Sequence, residues 1–287
     1  METLKSDRWL ARPDADSRGR CPLRLFCFPY AGGGVEVYAG WAAALQDVAD
    51  VCPVQLPGRG VRLREPAFTE LGALVAAVSS AIAPWLDRPF ALFGHSMGAT
   101  IAFQLARSLT RRGCPPTRLF VSGCGAPRPA GGRQRARYAL PDPEFIQELR
   151  RLNGTPREVL ENPELMKLLL PTLRADFTIC DTCGDMDGDL IDSPITAIGG
   201  ERDTEAPPER VAAWSAWTTG PFHVHRLNGD HFYINSLRPQ VQALVRTALC
   251  PVERTARVST AHQVVSSFVE DSTGRRPSHS RDHENSW

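Results

Sequence analysis

FALFGHSMGATIAFQLARSL, residues 90–109, decides the fold of this chain. It opens with a short apolar run of the length of a buried strand and closes with IAFQLARSL, a helical segment. At the junction stands Gly94-His95-Ser96-Met97-Gly98, a G-x-S-x-G. Its two glycines let the backbone turn sharply, which lifts the serine hydroxyl out at the helix N-terminus. There the N–H of Met97 and the positive end of the helix can stabilise an oxyanion. The bare pattern occurs by chance; between a strand and a helix it marks Ser96 as an expected nucleophile.

Outward from this junction, short apolar runs alternate with helical patterns from about residue 23 to residue 249. LRLFCF (centred on 24–28), VCPVQL (51–56), RLFVSGC (118–124), ITAIGG (195–200) and FHVHRL (222–227) read as further strands. Leu71, Leu74, Val75, Val78 and Ile82 recur at three-and-four spacing, which predicts an amphipathic helix. The class is therefore α/β, a mostly parallel sheet with helices on both faces. The interval from about 125 to 188 is too long for an ordinary connection. Asp142-Pro143 starts a helix there, Asn153-Gly154 stops it, and Asn162-Pro163 starts another. Such an insertion above the carboxyl ends of the strands is expected to act as a lid. Residues 1–250 thus read as one domain. The polar stretch 251–287 reads as a disordered tail, whose His262, His279 and His283 are solvated.

Composition excludes several classes. At 42% hydrophobic and 23% charged residues, the chain is neither fibrous nor largely disordered. A formal net charge of +1 gives no reason to expect nucleic acid as a partner. The opening METLKSDRWLARPDAD lacks the apolar run of a signal peptide and no later segment approaches a membrane span, so a cytoplasmic location is expected. The 8 cysteines are then reduced thiols, several of them in strands. Cys180 and Cys183 form a CxxC, yet no second pair completes a zinc site, and they read as incidental helix residues. Asp185, Asp187 and Asp189 resemble the start of a calcium loop, but the glycine is displaced and no Glu stands at the twelfth position. No metal is expected.

A serine hydroxyl needs a base, and the base needs a group to orient it, following in the chain order Ser, acid, His. Asp203 lies just beyond ITAIGG, and His231 follows FHVHRL in the loop Asn228-Gly229-Asp230-His231. His95, inside the turn, cannot fold back on its neighbour; His223 and His225 alternate along a strand. Glu201, Glu205 and Asp230 are possible acids, more often solvated loop carboxylates. A second oxyanion donor is expected from Pro29-Tyr30-Ala31-Gly32-Gly33-Gly34, after the first strand. A dinucleotide fingerprint on those glycines fails, because its third glycine would be Val37.

LFCFPYAGGG, QLPGRGVRLREP, FGHSMGA, LPTLRADF, GGERD and GDHFYIN, in that order and spacing, resemble the type II thioesterases that accompany modular polyketide and nonribosomal peptide synthases. The resemblance covers residues 8 to 250. It implies an α/β-hydrolase that frees stalled or wrong acyl groups from the phosphopantetheine arm of acyl or peptidyl carrier domains, with no cofactor of its own. Ser96, Asp203 and His231 fall on that family's triad, Ala31 and Met97 on its oxyanion N–H donors. The expected oligomeric state is a monomer. Cys180 and Cys183 depart from the family, whose members often carry aromatic residues there. Arg133, Arg135, Arg137, Arg150 and Arg151 offer a basic surface for acidic carriers, with a solvated loop as the alternative. A medium-chain fatty acyl chain-releasing thioesterase or a general carboxylesterase would share the triad. A silent scaffold would share only the fold.

Overall fold

The computed structural model describes residues 8–11, 21–127, 136–183 and 188–250. The expected tail at 251–287, Arg133, Arg135, Asp185 and Asp187 fall outside them. Six strands pair in parallel throughout: β1 (Arg24–Phe28), β2 (Asp50–Pro53), β3 (Phe90–His95), β4 (Arg118–Ser122), β5 (Ile195–Gly200) and β6 (Phe222–Leu227), in the order β2-β1-β3-β4-β5-β6. Each lies where its apolar run predicts, with two early endings. The second stops at Pro53 rather than Leu56: the Val54 N–H makes the last bond to β1, at Cys27, while Val54 bridges Leu10 and the Gln55 N–H donates to Trp9 instead. The fourth stops at Ser122, where Gly123 turns to φ 55°.

Strand alternation sorts the core into two faces. Phe26, Phe28, Leu92, Leu119 and Val121 pack with Leu74, Val78 and Ile82 of α1 (Leu71–Ile82) and Ile101, Leu105 and Leu109 of α2 (Met97–Arg111). Their neighbours Leu25, Cys27, Ala91, Phe93 and Phe120 face the other way, onto Trp41 and the carboxyl-terminal helix bearing Val241 and Val245. Only β6, at the edge, keeps a half-exposed pattern, with His223 on its exposed side.

Between β4 and β5 come α3 (Asp142–Leu152) and α4 (Pro163–Thr182). Both begin where the Asp-Pro and Asn-Pro pairs predict; the Asn162 side chain caps α4 by accepting from the N–H groups of Glu164 and Leu165, each at 3.1 Å. The stop after α3 falls on Asn153, which takes the left-handed conformation at φ 60°. Phe145, Leu149, Met166, Leu173 and Phe177 give these helices a small core of their own.

Candidate active site

Parallel strands put all their carboxyl ends on one edge of the sheet, so residues that follow β5 and β6 meet the one that follows β3 although more than a hundred positions separate them from it. Ser96 follows β3, held at φ 54° and ψ −118°, a conformation that L side chains rarely adopt. The flanking glycines allow it. A Cβ on Gly94 would come within 2.0 Å of the Gly98 carbonyl oxygen, and one on Gly98 within 2.0 Å of the Phe28 carbonyl oxygen. Gly98 thus seats the turn against the end of β1, with Ser96 at its apex.

His231 brings the three expected residues into series. Its Nδ1 lies 2.8 Å from Asp203 Oδ2, and its Nε2 lies 3.0 Å from Ser96 Oγ. A carboxylate only accepts, so the hydrogen sits on Nδ1 and the Nε2 lone pair faces the serine hydroxyl. Asp203 is buried, and burial alone would raise its pKa. The His231 hydrogen bond and charge, together with the N–H groups of Ala206 and Glu205 at 3.0 and 2.9 Å, outweigh that and hold the carboxyl below its ordinary value. Glu205, a rejected candidate acid, is instead paired with Arg137 and Arg151.

A cavity of about 390 Å³ opens beside Ser96, between the sheet edge and the two inserted helices. Ala31, Met97 and His231 line it near the serine; Leu149 and Phe177 line it from α3 and α4. Met97 opens α2, and the first N–H groups of a helix have no partner within it. The cavity also touches Thr100, Phe103 and Trp214, and the thiols of Cys124, Cys180 and Cys183. The CxxC therefore faces this cavity from the end of α4. Burial pushes the Cys124 thiol up to about 12 and that of Cys183 up to about 11, so neither is a thiolate near neutral pH. Among the described residues no three His, Cys, Asp or Glu side chains group so as to hold a metal ion.

Three features of the site were not expected from sequence. Asp176 on α4 forms a buried bidentate pair with Arg59, both contacts 2.7 Å, and accepts the Gly32 N–H at 2.7 Å. Arg59 also donates to the Gly33 carbonyl at 3.0 Å, so loop 30–34, loop 57–62 and α4 share one ionic knot. Second, Arg137 is not a free docking cation: its guanidinium is bound to Asp181 at 2.7 Å and Glu205 at 3.1 Å, while Arg151 holds Glu148 and Glu205. Of the five arginines considered for docking, Arg150 and Arg151 are described and exposed.

Third, His95 is fully buried behind the site, between the hydroxyl of Ser122 and the main-chain carbonyl of His231, each at 2.9 Å. Burial first, and then the nearby His231, lower its pKa from 6.5 to about 3. The sign follows directly. Below pH 6.5 the unfolded chain takes up a proton at this residue that the folded chain refuses until about pH 3, so stability present above 6.5 is lost across that window. A His95→Gln variant is expected to flatten this loss by up to about 1.4 kcal/mol per pH unit, read from urea unfolding at several acid pH values.

No helix among the described residues is long and apolar enough to cross a membrane. Comparison with known proteins agrees with the geometry. The thioesterase domain family model matches residues 23–249. The chain is 42% identical over 251 residues to linear gramicidin dehydrogenase LgrE of Brevibacillus parabrevis, 86% of this chain and 94% of that protein. Among solved structures, the RedJ thioesterase of the prodiginine pathway in Streptomyces coelicolor is 39% identical with a TM-score of 0.74, covering 83% of this chain and 96% of that one. The type II thioesterase BorB from the borrelidin biosynthetic cluster is 33% identical with a TM-score of 0.72, covering 85% and 97%. The parallel six-stranded sheet, the serine at its turn and the matched span from 23 to 249 lead to one conclusion: this chain belongs to the thioesterase family of α/β-hydrolases.

Proposed function

We propose that the chain is an editing thioesterase, hydrolysing acyl groups from the phosphopantetheine thiol of acyl or peptidyl carrier domains in a polyketide or nonribosomal peptide synthase. The observation that carries this reading is the serial contact of Ser96, His231 and Asp203 at the mouth of the cavity. Ser96 Oγ attacks the thioester carbonyl while His231 Nε2 takes its proton. Asp203 keeps the imidazole in the correct tautomer and stabilises the imidazolium. The N–H groups of Ala31 and Met97 receive the developing oxyanion, each such donor contributing about 3 kcal/mol in comparable sites. His231 returns its proton to the departing sulfur, an undemanding step because a thiol has a pKa near 8.5. A water then gives up a proton to the same nitrogen and attacks the acyl-serine carbonyl; His231 hands that proton to Ser96 Oγ as the ester bond breaks, and the free acid leaves. The helices α3 and α4 serve as the lid, shielding the acyl group from bulk water.

Relatives from gramicidin, prodiginine and borrelidin biosynthesis support a carrier-bound substrate. The test is a rate comparison on one acyl group presented three ways: on a carrier protein, on a small thiol and as an oxygen ester. An editing enzyme is expected to show the highest kcat/KM on the carrier, across short and varied acyl groups. Preference for medium-length fatty chains would point to chain release instead, and equal rates on oxygen esters to a general esterase.

A further inference from the structure

We propose that His95 is a positioning residue for His231: its Nε2–H holds the His231 main-chain carbonyl, and Ser122 with Tyr233 holds the ring from its other nitrogen. The inference rests on the triad reading above and adds a second histidine to it. A carbonyl oxygen only accepts, so the 2.9 Å contact between His95 Nε2 and His231 O requires the hydrogen on Nε2. Nδ1 is then a lone pair, and the Ser122 hydroxyl donates to it across 2.9 Å. Ser122 Oγ in turn lies 2.7 Å from Tyr233 Oη, whose single hydrogen is shared between Ser122 Oγ and the Ile198 carbonyl, also at 2.7 Å. The chain of contacts runs from β5 through β4 and β3 to the loop after β6.

That path matters because His231 sits on a loop beyond the edge strand. Its side chain must hold Asp203 and Ser96 at once, so its main chain must not drift. The His95 bond anchors it to the end of β3, the strand that delivers Ser96, and so ties base and nucleophile to one rigid element. Neutrality is part of the function. The two imidazole centroids are 5.4 Å apart, and burial keeps His95 uncharged, so it adds no repulsion when His231 takes up a proton. The ring packs closely on Gly123, where an added Cβ would come within 2.5 Å of its Cε1.

Glutamine and asparagine separate this role from mere packing. The glutamine amide reaches the place of Nε2, the asparagine amide only that of Nδ1. Measured on a small-thiol thioester, His95→Asn and His95→Leu are expected to lose about 10²-fold in kcat with KM nearly unchanged, as for an ångström-scale misplacement. His95→Gln should recover most of that loss at equal thermal stability. Ser122→Ala, which keeps the ring and changes one atom, should also lower kcat, because Nδ1 loses the hydroxyl that holds the ring against the His231 carbonyl. Wild-type kcat in His95→Asn, or a glutamine variant no better than the asparagine one at matched stability, would overturn the inference alone. Full activity in a Ser96→Ala control would overturn it together with the triad.

Discussion

Replacing Ser96 with alanine is expected to abolish turnover of carrier-bound acyl groups, with kcat falling by up to about 10⁶-fold and the midpoint of thermal unfolding nearly unchanged. The side chain lost is one hydroxyl at the cavity wall, so the fold keeps its packing. The chemistry loses the oxygen placed 3.0 Å from His231 Nε2. Asp203→Asn should cost less, about 10⁴-fold, by allowing the wrong tautomer while leaving the geometry in place. The two changes must not add: Ser96→Ala combined with His231→Ala should be no slower than Ser96→Ala, since the residues act as a unit. Steady-state rates on a loaded carrier protein measure all three. Additive losses would mean that the side chains contribute independently and that no relay operates.

Asp176→Ala is expected to be the most destabilising single substitution near the site. The Asp176 and Arg59 side chains are 3% and 7% exposed, and each makes a 2.7 Å bidentate contact with the other. Removing one partner strands a buried charge, at a cost of about 3–5 kcal/mol, which for a domain of this size lowers the unfolding midpoint by roughly 10 °C. Replacing both partners with apolar residues of similar volume, Arg59→Met with Asp176→Leu, should recover most of that stability, because the desolvation of two charges disappears with them. Activity should not recover in the double variant. The Gly32 N–H would still lack the carboxylate that now accepts it, and the loop carrying Ala31 would lose its tie to α4. Urea unfolding and kcat measured on the wild type and these two variants separate stability from the setting of loop 30–34.

Much of this arrangement was legible in the sequence because its signals are local. A strand announces itself by five or six apolar residues, a helix start by Asn162-Pro163, and the turn at Ser96 by glycines two positions either side. The acid and base could be ranked because a parallel sheet sends every strand's carboxyl end to one edge, so the residue just after β5 and the loop after β6 had to lie near Ser96. What stayed hidden depends on register and side-chain reach across the chain. Arg59 and Asp176 meet across 117 positions, and His95 meets the His231 carbonyl across 136. His95 was passed over because its own neighbour in sequence is the serine; its ring points the other way, into β4 and β6's following loop. Arg137 looked like a free surface cation for the converse reason, since nothing adjacent to it foretells Asp181 44 positions later.

Mixing the protein with an acyl-loaded carrier, quenching within one turnover and mapping the acyl mass by peptide mass spectrometry tests the triad at its first covalent step. The expected result is one acyl adduct on the peptide containing Ser96, absent in Ser96→Ala. Its build-up should be slowed in His231→Ala. An adduct on Cys124 or Cys183, whose thiols also line the cavity, or wild-type turnover with no acyl-serine in either protein, would contradict the assignment of Ser96 as nucleophile.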